Sequence, residues 1–362
     1  MSVAAVTVGA LAAMPTAAFA SSNSTFVPCN AVSGVNGLRA AIAAANVATR
    51  PRTIVLASGC TYYLTDPFMA TDSGLPAITG NVTLKAKDAT IRRYPSPNTP
   101  FRIVNVSGSG RLNAEGITFA GGIAPAATPN GGGILVASGG TLQLVDSRVT
   151  QNTAANDGGG IFSAGGTVRL LKTIVNGNNS PGSGGGVAAN GGNLTITGGT
   201  VAFNQSGSGG GIDLVGTASS RYSITSADVV HNTATVHGGG IRLFSGTLEL
   251  RRSNVQFNTA TTAGTSDGGG IENSGALTVF ESLISRNRAG IAPVAGNLGG
   301  GLINRAGGTV LIRESTLTGN AAFDGAAVFN ENGTVGSVTV IRSLITNNQP
   351  DNCQPSGSGC PA

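Results

Sequence analysis

Asp213, Arg242 and Glu272 each follow the aliphatic residue of a Gly-Gly-Gly motif, and His237 and Asp267 stand directly before two such motifs. Carboxylates held on neighbouring layers can serve as acid and base on a glycosidic bond. A His beside them supplies a proton carrier near neutral pH. The five residues therefore outline a groove that grips or cleaves a sugar chain. The same residue types also fit a plainer arrangement, an exposed ladder of alternating charges in which each pair contributes about 0 to 1 kcal/mol. The ladder is the simpler reading. Asp146, Lys172, Arg252, Glu281, Glu314 and Arg342 form a second column of mixed charge with nothing else to mark a site.

Basic residues offer a different chemistry. Between Cys29 and Arg111 there are nine Lys or Arg against three Asp, while the rest of the chain has twelve against thirteen acidic residues. The formal net charge of +5 thus lies in the N-terminal part. Lys85, Lys87, Arg92 and Arg93, with Tyr94, are the candidates for meeting an anionic polysaccharide or envelope polymer. A solvated basic surface with no ligand is the competing reading. Nucleic acid is disfavoured, because four Tyr, twelve Phe and no Trp leave little for base stacking.

The elements that must position these residues are repeats. Gly-Gly-Gly followed by Ile, Val or Leu begins at Gly131, Gly158, Gly184, Gly209, Gly238, Gly268 and Gly299, and Gly325-Ala326-Ala327-Val328 closes the series at steps of 27, 26, 25, 29, 30, 31 and 26 residues. An aliphatic residue three before an Asn recurs in phase, from Val149 and Asn152 to Ile345 and Asn348. Between the two marks lie period-2 segments such as Thr141-Leu142-Gln143-Leu144 and Thr247-Leu248-Glu249-Leu250. Alternation in short runs broken by Gly and Asn predicts strands, and a period in the twenties predicts a solenoid. The Leu-x-x-Leu-x-Leu framework of leucine-rich repeats is missing, so the expected fold is an all-β right-handed parallel β-helix. Its turns stack about 4.8 Å apart, which places equal positions in columns. Gly suits the sharp bends, and the repeated Asn is expected to tolerate a left-handed bend and to bond to the next turn. No Gly-Lys-Ser/Thr follows a triplet, which excludes a phosphate-binding loop.

The ends read differently. Residues 1–20 are small and apolar and finish Ala18-Phe19-Ala20, a signal-peptide pattern without a leading Lys or Arg, with a membrane anchor as the alternative. No other stretch is apolar enough to span a bilayer. Residues 21–115 are expected to hold an N-terminal cap and irregular first turns, with a helix from Asn36 to Asn46 capped by Asn36. Strands are expected at 53–56, 81–84, 101–104 and 117–119. Residues 116–350 hold the repeats and 351–362 a disulfide-closed tail. Four cysteines allow three pairings, of which proximity favours Cys29 with Cys60 and Cys353 with Cys360. No cofactor motif is present, and no Cys-x-x-Cys or His pair suggests a metal.

Gly37-Leu38-Arg39-Ala40-Ala41-Ile42 with Gly59-Cys60-Thr61-Tyr62-Tyr63-Leu64 resembles the CSLREA-type N-terminal region of secreted bacterial β-helix proteins. The repeats resemble those of polymorphic outer membrane proteins, with Val, Ile or Leu where those have Phe in the Phe-x-x-Asn motif, and with Ala40 where the CSLREA pattern has Glu. The resemblance implies a pectin-lyase-like fold, export, and an extracellular or surface location. It supplies no catalytic residue. The Asn-Thr-Asp, Asp-Asp and Gly-His-Gly motifs of polygalacturonase-like hydrolases do not occur, and Arg242 between Asp213 and Glu272 opposes the calcium site of a pectate lyase. An ice-binding plate needs a regular outward Thr array, but Gln143, Arg169, Thr195, Ser223, Glu249, Thr278, Leu311 and Thr339 are mixed. The expected function is binding or adhesion to an extracellular glycan or envelope polymer. The alternative is a polysaccharide lyase or glycoside hydrolase acting on an acidic glycan.

Overall fold

The computed structural model describes residues 23–354 apart from 31–32, 96–98, 263–265, 291–294 and 332–336. Residues 1–20, where a signal peptide is expected, and Cys360 lie outside the described residues. The chain forms a parallel β-solenoid of about 11 turns. Among the described residues the strands make a 21-stranded, a 10-stranded and a 4-stranded sheet, so a full repeat visits up to three faces.

Alternation decides which side chains point inward. Leu142 and Leu144 stack on Val168 and Leu170, then on Leu194 and Ile196, and all are buried. Every turn thereby adds aliphatic side chains to one continuous core. In the largest sheet each turn from Thr141 onward contributes two strands, such as Thr141–Val145 and Arg148–Thr150, joined at a bend, whereas Asn81–Arg93 and Arg111–Ala120 each run through as one strand. The bend residue is left-handed: Asp146, Lys172, Ser226, Arg252, Glu281, Glu314 and Arg342 have φ between 45° and 52°. The mixed-charge column of the sequence is thus a column of bends. A Ser or Thr behind it fixes several of these corners, as where Ser147 Oγ donates to Val145 O at 2.8 Å and Ser282 Oγ to Phe280 O at 2.8 Å.

The Asn motif is a buried ladder. Asn178 Nδ2 and its backbone N–H both donate to Asn204 Oδ1 at 3.0 Å, and Asn204 repeats both bonds to Asn232. The expected bond to the next turn is present, but the left-handed bend is one residue earlier, at Gln151, Gly177, Phe203, His231, Phe257, Arg286, Gly319 and Asn347. The triplet packs on this ladder. A Cβ on Gly211 would stand 2.9 Å from Asn232 Nδ2 and 2.7 Å from Gly240 O, so the third glycine must lack one.

The helix runs from Ser33 to Asn46, so Asn36 lies inside it and does not cap its start. Leu38, Ile42 and Ala45 are buried against the first turns and close the apolar end of the core. Asn46 ties the helix end down, its Oδ1 accepting from Thr79 N at 2.9 Å and Gly80 N at 3.1 Å. The strand expected at 101–104 forms at Val104–Val106, because Val104 pairs with Ile134 and residues 101–103 therefore stand in register with the Gly131–Gly133 bend, where Arg102 forms an ion pair with Asp72. Cys29 and Cys60 are joined, 5.6 Å apart at Cα. Cys353 begins a two-residue strand that pairs with Val328 and Phe329.

Candidate functional site

The 10-stranded sheet places Leu135, Phe162, Ala188, Asp213, Arg242, Glu272, Ile303 and Phe329 in one register column. Ser208, His237, Asp267, Leu298 and Asp324 form the column before the triplets. The side chains of the first column alternate with core residues and face away from the core, yet Asp213 and Glu272 are only 4% and 7% exposed. The first glycine of the triplet explains this. Gly209, Gly238 and Gly268 have φ of 58° to 62°, and a Cβ on Gly209 would lie 2.9 Å from Asp213 Cβ, so the incoming chain presses against the column.

The structure brings all five candidate residues to this corner, and adds two more. Arg242 Nε donates to Asp213 Oδ1 at 2.6 Å. Arg305, three positions after Leu302, reaches back with Nη2 2.5 Å from Asp267 Oδ2, Nε 3.0 Å from Glu272 Oε1 and Nη1 3.3 Å from Glu331 Oε1. His237 Nδ1 stands 3.8 Å from Asp267 Oδ2 and 3.9 Å from Glu272 Oε2. Arg305 Nη2, 3.4 Å from Nδ1, can donate to it when the ring carries its proton on Nε2. The alternation rule held a signal for Arg305 and Glu331. Each lies two residues past the charged column, one residue beyond the end of its strand.

Burial pushes the Asp213 carboxyl up to about 6 despite the charge and hydrogen bond of Arg242, with the charges of Asp157 and Glu272 adding to the rise. Burial likewise raises Asp267, against the pull of Arg305 and His237. Glu272 Oε2 is buried without a hydrogen-bond partner. Two guanidinium groups thus serve four carboxylates, and the cluster works as an internal clamp joining successive turns. Among the described residues no group of three or more His, Cys, Asp or Glu is arranged to hold a metal ion.

The N-terminal basic residues are not brought into one patch. Arg93 is 6% exposed, stacks over Phe101 at 5.1 Å and donates to Thr99 O at 3.2 Å, so it is turned away from any surface that Arg92 shares. Lys85 is exposed and paired with Glu115 at 2.9 Å. Lys85 and Lys87 precede the left-handed Asp88, and Arg92 follows it, on the other side of the bend. Arg92 lies beside Tyr63 in register and, with Tyr63, Tyr94 and Pro95, lines a groove of about 420 Å³. The two tyrosines meet edge to face at 5.7 Å, and both are about half exposed.

No protein-family model, curated protein or solved structure matches the chain. Among the described residues no helix is long and apolar enough to cross a membrane.

Proposed function

We propose that the chain is an exported β-solenoid that holds an extracellular glycan or envelope polymer without cleaving it. The groove of Tyr63, Arg92, Tyr94 and Pro95 carries this reading. Two exposed phenol rings offer apolar faces and hydroxyls to a sugar ring, and a guanidinium offers bidentate pairing to a carboxylate or phosphate on the polymer. The resemblance of the N-terminal region to CSLREA-type secreted proteins, and of the repeats to polymorphic outer membrane proteins, supports export and a surface location. The pectin-lyase-like assignment rests on the same resemblance.

A lyase or hydrolase acting on an acidic glycan is the second reading. It is favoured by Asp213, which holds its proton up to about 6 as a general acid should. Against it, Asp213 and Glu272 are buried and tied to Arg242 and Arg305. The deciding experiment incubates the purified chain with acidic and neutral polysaccharides, following retention at low and high salt, unsaturated product and new reducing ends. Salt-sensitive retention of acidic polymer that is lost in Arg92→Ala, with no product, is the expected result. Product formation that disappears in Asp213→Asn supports the enzyme instead.

A further inference from the structure

The second left-handed column carries an unusual run of side chains. Phe203, His231 and Phe257 have φ of 54° to 56°, a conformation in which a bulky L-residue costs roughly 1–2 kcal/mol, while the same column uses Gly177, Gly319 and Asn347 elsewhere. The rings stack face to face, Phe203 on His231 at 5.0 Å and His231 on Phe257 at 4.8 Å. Arg286 covers the far face of Phe257 at 5.2 Å and its stem lies 3.5 Å from a Cβ placed on Gly319. At the other end Arg92 passes 3.8 Å from a Cβ placed on Gly121 and donates to Gln151 Oε1 at 3.2 Å. Side chains therefore cover this edge layer by layer from Arg92 to Gly319, with one exception. A Cβ placed on Gly177 would meet nothing among the described residues nearer than Gln151 N at 4.0 Å, and Phe203, whose free face points there, is 63% exposed.

We infer that the gap over Gly177 is a stacking slot for one pyranose ring of a glycan, held between Phe203 and Gln151. The two walls are two turns apart, about 10 Å, which leaves the height of a single ring between them. The face of Phe203 suits the C–H face of a sugar. Asn176 and Asn179 flank Gly177 on its own turn and Gln205 lies two residues past Phe203 on the next, which places amide side chains, donors and acceptors for hydroxyls, within two residues of the slot. The slot carries no charge of its own and lies along the same edge as Arg92, which ties it to the glycan-binding reading on which it rests.

The test measures, by isothermal titration, the affinity of the full chain for a neutral glucan hexasaccharide and for an oligogalacturonate. Gly177→Phe extends the existing stack into the gap, at a φ of 63° that neighbouring Phe residues already match. Phe203→Asn removes the wall and supplies the residue type that Asn347 already places in this column. Both variants are expected to fold, Phe203→Asn with greater stability than the parent, and each is expected to weaken binding about tenfold, the size of one stacking contact. Unchanged affinity in either folded variant, with Arg92→Ala still reducing retention, overturns the slot and leaves the groove reading standing. Absence of binding by the unmodified chain to every saccharide overturns both.

Discussion

Asp213 and Arg242 are 29 residues apart in the chain and one turn apart in the solenoid, joined by a 2.6 Å hydrogen bond that burial sets against the charge it holds. The Asp213 carboxyl lies at about 6, above its ordinary value. The folded chain thus keeps a proton that the unfolded chain releases. The stability from this group is fully present below about pH 4 and lost as pH rises through about 6, a change on the order of 3 kcal/mol. Urea unfolding of the parent and of Asp213→Asn across this range should differ in slope, the parent losing stability relative to the variant. Parallel curves would show that Asp213 is not a raised acid.

Arg305 serves three carboxylates at once. Arg305→Met leaves Asp267 and Glu272 buried with their charges uncompensated and is expected to cost about 3–5 kcal/mol near neutral pH. Arg305→Lys keeps the charge but cannot reproduce the fork, so its unfolding midpoint should fall between the two.

The Asn ladder predicts a gradient along the solenoid. Asn232 donates to Val201 O and Asn258 Oδ1 and accepts from Asn204 N and Nδ2. Asn232→Ala orphans several buried groups and should destabilise by at least about 3 kcal/mol. Asn348, nearer the surface and bonded within the last turn, should lose less in a denaturant titration.

Glycines divide into two kinds. Gly211→Ala places a Cβ 2.7 Å from Gly240 O and should impair folding, seen as loss of soluble yield or of the far-UV β signal. Gly307→Ala meets no atom within 4 Å and only a φ of 85°, so its cost should stay near 1 kcal/mol in thermal unfolding.

The column alignment is legible in the sequence because each turn repeats the same hydrogen-bonded register. Asp213 with Arg242 and Glu272, and His237 with Asp267, follow from counting alone. Arg305 stands two positions past the column, a place that counting marks, but its three partners do not follow from counting, since its side chain reaches across turns. Asn36 suggests a cap because Asn is common at helix starts, whereas the helix begins earlier, at Ser33. Adjacency in the sequence groups Arg92 with Arg93, yet alternation sends neighbouring strand residues to opposite faces. Only Arg92 shares the groove with the tyrosines.

By itself the sequence determined the solenoid, its strands, the Asn and Gly columns and the charged register, because all of these depend on period and alternation. Tertiary structure alone decided which charges are buried, which guanidinium serves which carboxylate, and that Phe203, His231 and Phe257 stack beside an open layer at Gly177. The reason is physical. Register along a strand is local, whereas burial and side-chain reach depend on how closely the next turn and the incoming glycine bend press against it.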